Sequence, residues 1–188
     1  MGHASAPSRK KQPQRVRRQL LEVAARLSLE QGIAAVTLDA VSQAAGVSKG
    51  GLLHHFPNKL ALLDALFDDL VARFDSALDE AMAGDAVEKG RFTRAYLGVC
   101  FALDAEAEAQ GWQMLTIALL AEPHLKERWR ECVARRSAQF AATDSSPSCL
   151  LARFAADGVW LSDLMRSHDI EAPTRAILLQ KLNALSLE

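Results

Sequence analysis

Cysteine is scarce in this chain: Cys100, Cys132 and Cys149 are the only three in 188 residues, widely spaced, odd in number and without a CxxC or Cys/His cluster. That pattern does not read as a disulfide framework: the three read as buried apolar residues in a reducing compartment, with a redox sensor or a disulfide as the alternative. No stretch approaches the roughly 18 uncharged apolar residues of a membrane span, and the first residues hold no apolar run of the signal-peptide kind. The expectation is therefore a soluble, cytoplasmic chain. Strand signals are nearly absent, as are fixed-period repeats. GxSxG, P-loop, HExxH and Rossmann patterns are missing too, and no carboxylate pair has a clear acid and base assignment, so no enzyme and no cofactor are expected.

What is present is apolar residues, 49% of the chain, enough for a substantial core, and charge that is unevenly placed. The net charge is −1, yet residues 1–60 hold nine Lys and Arg against Glu22, Glu30 and Asp39, a balance of +6 that leaves −7 on residues 61–188. A basic N-terminal part suits nucleic acid through counterion release, whereas the acidic remainder does not.

Helical spacing dominates from residue 13 onward, predicting an all-α fold of about nine helices. Residues 1–12, rich in Ser, Pro and Lys, read as a flexible basic arm in which Arg9, Lys10 and Lys11 either reach phosphates or are simply solvated. A first helix is predicted over 13–31 from Val16, Leu20, Val23 and Leu27, with Gly32 ending it. A long helix is predicted over 59–83, its apolar face running from Leu62 to Met82. It leaves the basic part and enters the acidic one, which makes it the candidate mechanical link. After the Gly84-Asp85 break, further helices are predicted over 91–105, 107–121, 123–143, 148–167 and 173–186. The last two are more apolar than an outer helix needs, so either both are buried in a monomer or one face of each meets a second copy.

The stretch between the first and the long helix carries the chemistry. Thr37 can cap a short helix over 38–45, Gly46 can take the left-handed turn that closes it, and Ser48 can cap a second helix ended by Pro57. Two short helices joined in this way form a helix-turn-helix, whose second member lies in the DNA major groove. That second helix holds Gly50 and Gly51 in its first turn, each costing about 1 kcal/mol of helix stability against alanine. The glycines either allow close approach to DNA or let helices of the same domain pack closely. Lys49, His54, His55 and Lys59 flank them with hydrogen-bond donors that phosphates accept. His54-His55 is not a metal site, since neighbouring side chains on a helix point about 100° apart and no further ligand lies beside them.

The run AAGVSKGGLLHHFPNKLALLDAL, with Thr37 ahead of it, resembles the DNA-binding domain of the TetR family of bacterial transcriptional regulators over residues 15–70. The resemblance implies an all-α homodimer dividing at about 13–58 and 59–188, with an N-terminal helix-turn-helix domain and a C-terminal domain for ligand binding and dimerisation. It implies a double-stranded DNA operator as partner and self-association through the final two helices. The family's phosphate-contacting positions fall on Thr37, Ser48, His55 and Lys59, and its base-facing positions on Lys49, Gly50, Gly51 and His54. Two departures stand out: the family commonly has Thr at Gly51 and Tyr at Leu53, so Leu53 either touches a thymine methyl or packs.

An effector site is expected among the middle helices, apolar and aromatic with a few polar anchors, for a hydrophobic small molecule. Its candidates are Phe67, Phe74, Tyr96, Cys100, Trp112, Met114, Trp129, Phe154, Asp157 and Trp160, each equally able to be ordinary core. Asp157 and Asp163 need partners in an apolar helix, with Arg153, Arg166 or a cationic ligand as candidates. The function expected is a ligand-responsive repressor acting as a homodimer on a palindromic operator. The alternative is a helix-turn-helix co-regulator or architectural protein with no small-molecule effector.

Overall fold

The computed structural model describes residues 11–102 and 122–188, and the helix expected over 107–121 lies outside them, as does the end of the one expected over 91–105. Among the described residues there are nine α-helices, one 3-10 turn and no strand. They are α1 (Lys11–Gln31), α2 (Leu38–Ala44), α3 (Lys49–His55), α4 (Lys59–Ala83), α5 (Arg91–Phe101), α6 (Pro123–Gln139), α7 (Ala141–Asp144), α8 (Pro147–Met165) and α9 (Ala172–Leu185).

The helix starts follow side-chain chemistry. Thr37, Ser48 and Asn58 each accept a hydrogen bond from a backbone N–H three residues on, at 3.1, 3.1 and 2.8 Å, so α2, α3 and α4 begin where a side-chain oxygen satisfies an orphan donor. Gly46 holds φ at +65° in the turn between α2 and α3, a conformation glycine takes without steric cost. The arm expected over 1–12 loses its last two residues to α1, which starts at Lys11 rather than at Pro13. Pro13 then sits in the first turn, where a missing N–H costs no helix bond.

Two cores share α4. The first gathers Leu20, Ala24 and Leu27 of α1 with Val41, Leu52, Phe56 and the α4 residues Leu62, Leu63 and Leu66. The second gathers Phe74 and Leu78 of α4 with Phe92, Ala95, Leu97 and Phe101 of α5 and Ala152 and Ala156 of α8. The small side chains of Ala152 and Ala156 let α8 lie close against α5. Leu125 of α6, 1% exposed, belongs to the first core, with Trp129 and Cys132 of the same helix packed against it.

The helix expected over 123–143 breaks at Phe140, whose ring stacks on Phe92 with centroids 4.7 Å apart. The break serves α5. Asp144, buried, accepts the Thr93 N–H at 2.7 Å and the Thr143 hydroxyl at 2.7 Å, so a distant carboxylate caps the first turn of α5. Gly90, at φ +72°, starts that turn with no room for a side chain, because a Cβ there would meet the Ser186 carbonyl oxygen at 2.1 Å.

Carboxylates on one face of α4 hold α6. Asp64 meets His124 at 3.2 Å and Arg128 at 2.7 Å, and Asp68 meets Arg128 at 2.5 Å. Asp75 meets Arg136 at 2.8 Å and Asp79 meets it at 3.3 Å, so the two helices run in the same direction as a charged rail. Arg128 also lies over the Phe67 ring, 4.6 Å from its centroid.

Candidate functional site

α3 presents two unlike faces. Leu52 and Phe56, 0% and 1% exposed, anchor it in the first core, while Lys49, Gly50, Leu53 and His54 face outward. Leu53 is 39% exposed, so it does not pack as a core residue, and the outward face is free to meet a partner. The two glycines differ in surroundings. A Cβ on Gly50 would meet nothing within 4 Å, whereas one on Gly51 would lie 3.1 Å from Val47 Cγ1 and 3.2 Å from Ser48 Oγ. Gly50 therefore fits close approach by a partner, and Gly51 relieves crowding within its own turn.

The flanking groups are pre-positioned. The hydroxyls of Thr37 and Ser48 are spent as acceptors in capping, which leaves their O–H groups to donate outward. Lys59 donates to the Ile33 carbonyl at 3.2 Å, and Lys49 pairs with Asp39 at 2.8 Å. Burial, His54 and Arg17 together hold the His55 imidazole below the usual histidine range, so it is neutral near pH 7 and offers a hydrogen bond rather than a charge. Arg17 of α1 lies over the Phe56 ring at 5.3 Å, placing a guanidinium beside the end of α3. Gln19 Nε2 donates to the Ala45 carbonyl at 2.9 Å and ties α1 to the turn.

Between α4, α5, α6 and α8 lies a cavity of about 420 Å³. Of the expected ligand residues it is lined by Phe74, Tyr96, Cys100, Trp129, Phe154, Asp157 and Trp160. Phe67 does not line it, being buried in the first core beneath Arg128, and Trp112 and Met114 lie outside the described residues. Val71, Leu78, Phe92, Cys132, Val133, Arg136, Leu150, Arg153 and Leu161 also line it. Their signal was in the sequence only as helical periodicity, which does not separate a cavity wall from a packed core.

The polar groups of the cavity are few. Tyr96 donates its hydroxyl to Asp157 in a short hydrogen bond. Asp157 lines the cavity and is exposed in the single chain; partial desolvation pushes its carboxyl above the usual range, with the Tyr96 bond and Arg153 opposing. Burial likewise raises the Tyr96 phenol and pushes the Cys100 thiol up to about 12, so Cys100 is an inert wall residue. The carboxylate partners differ from those expected: Asp163 pairs with Arg175 of α9 at 2.8 Å, and Arg153 donates to Thr93 Oγ1 at 2.6 Å and to the Asp144 carbonyl at 3.1 Å. Both arginines were drawn to groups on other elements that helical spacing does not reveal.

Two family models match. Residues 20–66 match the model described as bacterial regulatory proteins, tetR family, and residues 90–187 match that of a tetracyclin repressor-like C-terminal domain. The HTH-type transcriptional regulator TtgR of Pseudomonas putida is 34% identical over 79 residues, 42% of this chain and 38% of its own length. The HTH-type transcriptional repressor KstR2 of Rhodococcus jostii is 31% identical over 84 residues, 43% of this chain and 41% of its own. The chain thus spans about two-fifths of the length of these curated relatives. A crystal structure described as a TetR-family transcriptional regulator from Rhodococcus sp. shares the fold, with TM-score 0.72 and 18% identity over 92% of this chain and 99% of that one. With both family models matched in chain order and the helix-turn-helix in place, the chain belongs to the TetR family of bacterial transcriptional regulators.

Proposed function

We propose that the chain is a ligand-responsive repressor that binds a palindromic operator as a homodimer. The observation that carries this reading is the outward face of α3, where Lys49, Gly50, Leu53 and His54 are exposed while Leu52 and Phe56 hold the helix rigidly to its own domain. In this reading Thr37, Ser48, His55 and Lys59 donate to phosphates. Lys49 and His54 address base edges, Gly50 lets the backbone approach while Gly51 keeps its own turn uncrowded, and Leu53 meets a thymine methyl. Two such helices enter successive major grooves about 34 Å apart. The domains divide near the start of α4, with residues 59–188 serving ligand binding and dimerisation.

The cavity supports the effector part. Its walls include Val71, Phe74 and Leu78 of α4 and Trp129, Cys132 and Val133 of α6. Both helices also reach the DNA-binding core, α4 through Leu62 to Leu66 and α6 through Leu125. A ligand that parts α6 from α4 therefore moves the base of the reading head, and it shifts the balance of states only by its preference, several kcal/mol, for one of them.

The test is selection of bound duplexes from a random pool at stated salt, followed by titration of the selected site with and without ligands that raise the melting temperature. Expected is a palindromic consensus and weaker binding with ligand. A pool that yields no consensus would overturn the operator reading. Consensus binding that no stabilising ligand alters would favour the co-regulator alternative.

A further inference from the structure

We propose that the cavity selects lipophilic organic cations, with Asp157 as their counter-ion. This rests on the effector reading above and names the chemical class it would take. Six of the chain's eleven aromatic residues, Phe74, Phe92, Tyr96, Trp129, Phe154 and Trp160, line this one cavity. Aromatic faces carry negative potential, so a wall dense in them attracts a soft cation and repels an anion.

The charges of the cavity point the same way. Asp75 and Arg136 answer each other at 2.8 Å and present no net charge. Arg153 has no carboxylate partner among the described residues, but it donates to Thr93 and the Asp144 carbonyl and lies over the Phe92 ring at 5.6 Å, three electron-rich groups. Among the described residues Asp157 has one hydrogen-bond partner, the Tyr96 hydroxyl, and no Lys, Arg or His nitrogen in ion-pair range, Arg153 acting on it only from further away. Exposed at the cavity wall, with a single phenol as its hydrogen-bond partner and Arg153 the one described cation acting on it from beyond contact, this carboxylate keeps oxygen lone pairs that a ligand cation engages. Tyr96 fixes the carboxylate's orientation, and its ring, edge-on to Phe74 at 5.7 Å, completes the wall beside it.

The experiment compares two ions of one size and opposite charge, tetraphenylphosphonium and tetraphenylborate, by calorimetric titration into the full chain. An uncharged naphthylamine dye reports whether the cavity takes any apolar ligand. Expected is one phosphonium per chain, bound at least about tenfold tighter than the borate. Asp157→Asn should remove that preference and Asp157→Glu should retain it, with denaturation midpoints checking that both variants fold. Equal binding of the two ions, tighter borate, or an Asp157→Asn variant that keeps the preference would overturn the inference. If the dye binds under those results, the effector reading survives alone. If none of the three probes binds, both fall.

Discussion

The ammonium of Lys49, the first residue of α3, sits 2.8 Å from the carboxylate of Asp39 in the helix before it. Both side chains are well exposed, 62% and 72%, so the bridge contributes little to folding, and on the proposed reading its consequence lies at the DNA surface. Asp39 restrains the lysine and also sets a negative charge close to where phosphates would come. Asp39→Asn should raise affinity for random duplex several-fold while narrowing the gap between selected and random sites. Lys49→Ala should cost about 1–3 kcal/mol on the selected site and much less elsewhere. Titrations of both duplexes at two salt concentrations read this directly, and equal losses on both would assign Lys49 to a phosphate instead.

His55 adds a proton dependence. In the free chain its imidazole is held below the usual histidine range by burial, then by His54 and Arg17. In the proposed complex a phosphate beside it would favour the charged form, so its pKa would rise on binding and the complex would take up a proton. Affinity should therefore increase as pH falls through the histidine range and level off above it. His55→Gln keeps a hydrogen-bond donor and should flatten the slope while retaining binding at pH 8. A slope unchanged in that variant would place the titrating group elsewhere.

The local features above were open to reading because each is written in neighbouring residues. Thr37, Ser48 and Asn58 stand where caps must stand, and α4 runs from Lys59 to Ala83 as its apolar periodicity predicts. What escaped is written across elements. Nothing near Phe140 signals a break, since its cause is the stacked ring of Phe92 and the need of α5 for Asp144. The match between Asp64, Asp68, Asp75 and Asp79 on α4 and His124, Arg128 and Arg136 on α6 was visible only as two separate charge periods. In the same way Phe67 and Phe74 are both apolar positions of α4, and only the packed structure shows that one is core and the other a cavity wall.

The buried cap on α5 should dominate stability in the C-terminal half. Asp144→Ala removes the buried acceptor of the Thr93 N–H and leaves the Thr143 hydroxyl with only its 3.4 Å bond to the Phe140 carbonyl. A loss of about 1–3 kcal/mol is expected from denaturant midpoints. Gly90→Ala should cost at least as much, because it adds a clash with the Ser186 carbonyl to an unfavourable φ. Midpoints within experimental error of the parent would mean that the turn between α7 and α8 does not hold the start of α5.

The charged rail makes a prediction in salt. Arg136, 14% exposed, joins Asp75 and Asp79, and Arg128 joins Asp64 and Asp68. Arg128→Met with Arg136→Met keeps much of the apolar stem contact but releases α6 from α4. The double variant should lose melting temperature at low salt and approach the parent near 1 M salt, where the screening length is about 3 Å. It should also keep operator binding while responding less to ligand, since α6 no longer pulls on α4. Full ligand response in the double variant would assign the coupling to α4 alone.

Self-association is the last requirement of the operator reading, and α8 and α9 carry its test. Leu151, Met165 and Ile177 are 59%, 67% and 53% exposed and none of them lines the cavity, an unusual display of apolar surface on adjacent helices. A two-fold partner laid across both helices would bury each of these side chains twice, and a stable pair needs about 1,200–2,000 Å² of such burial in total. Leu151→Glu with Ile177→Glu places four carboxylates in the paired interface while leaving the fold of each chain untouched, because both sites are already solvated in the single chain. Sedimentation should show the parent as a dimer and the variant at half its mass. Affinity for the palindrome should fall by orders of magnitude, to that of an isolated half-site. A variant that stays dimeric would move the interface to another face, and a parent that binds the palindrome as a monomer would remove the need for one.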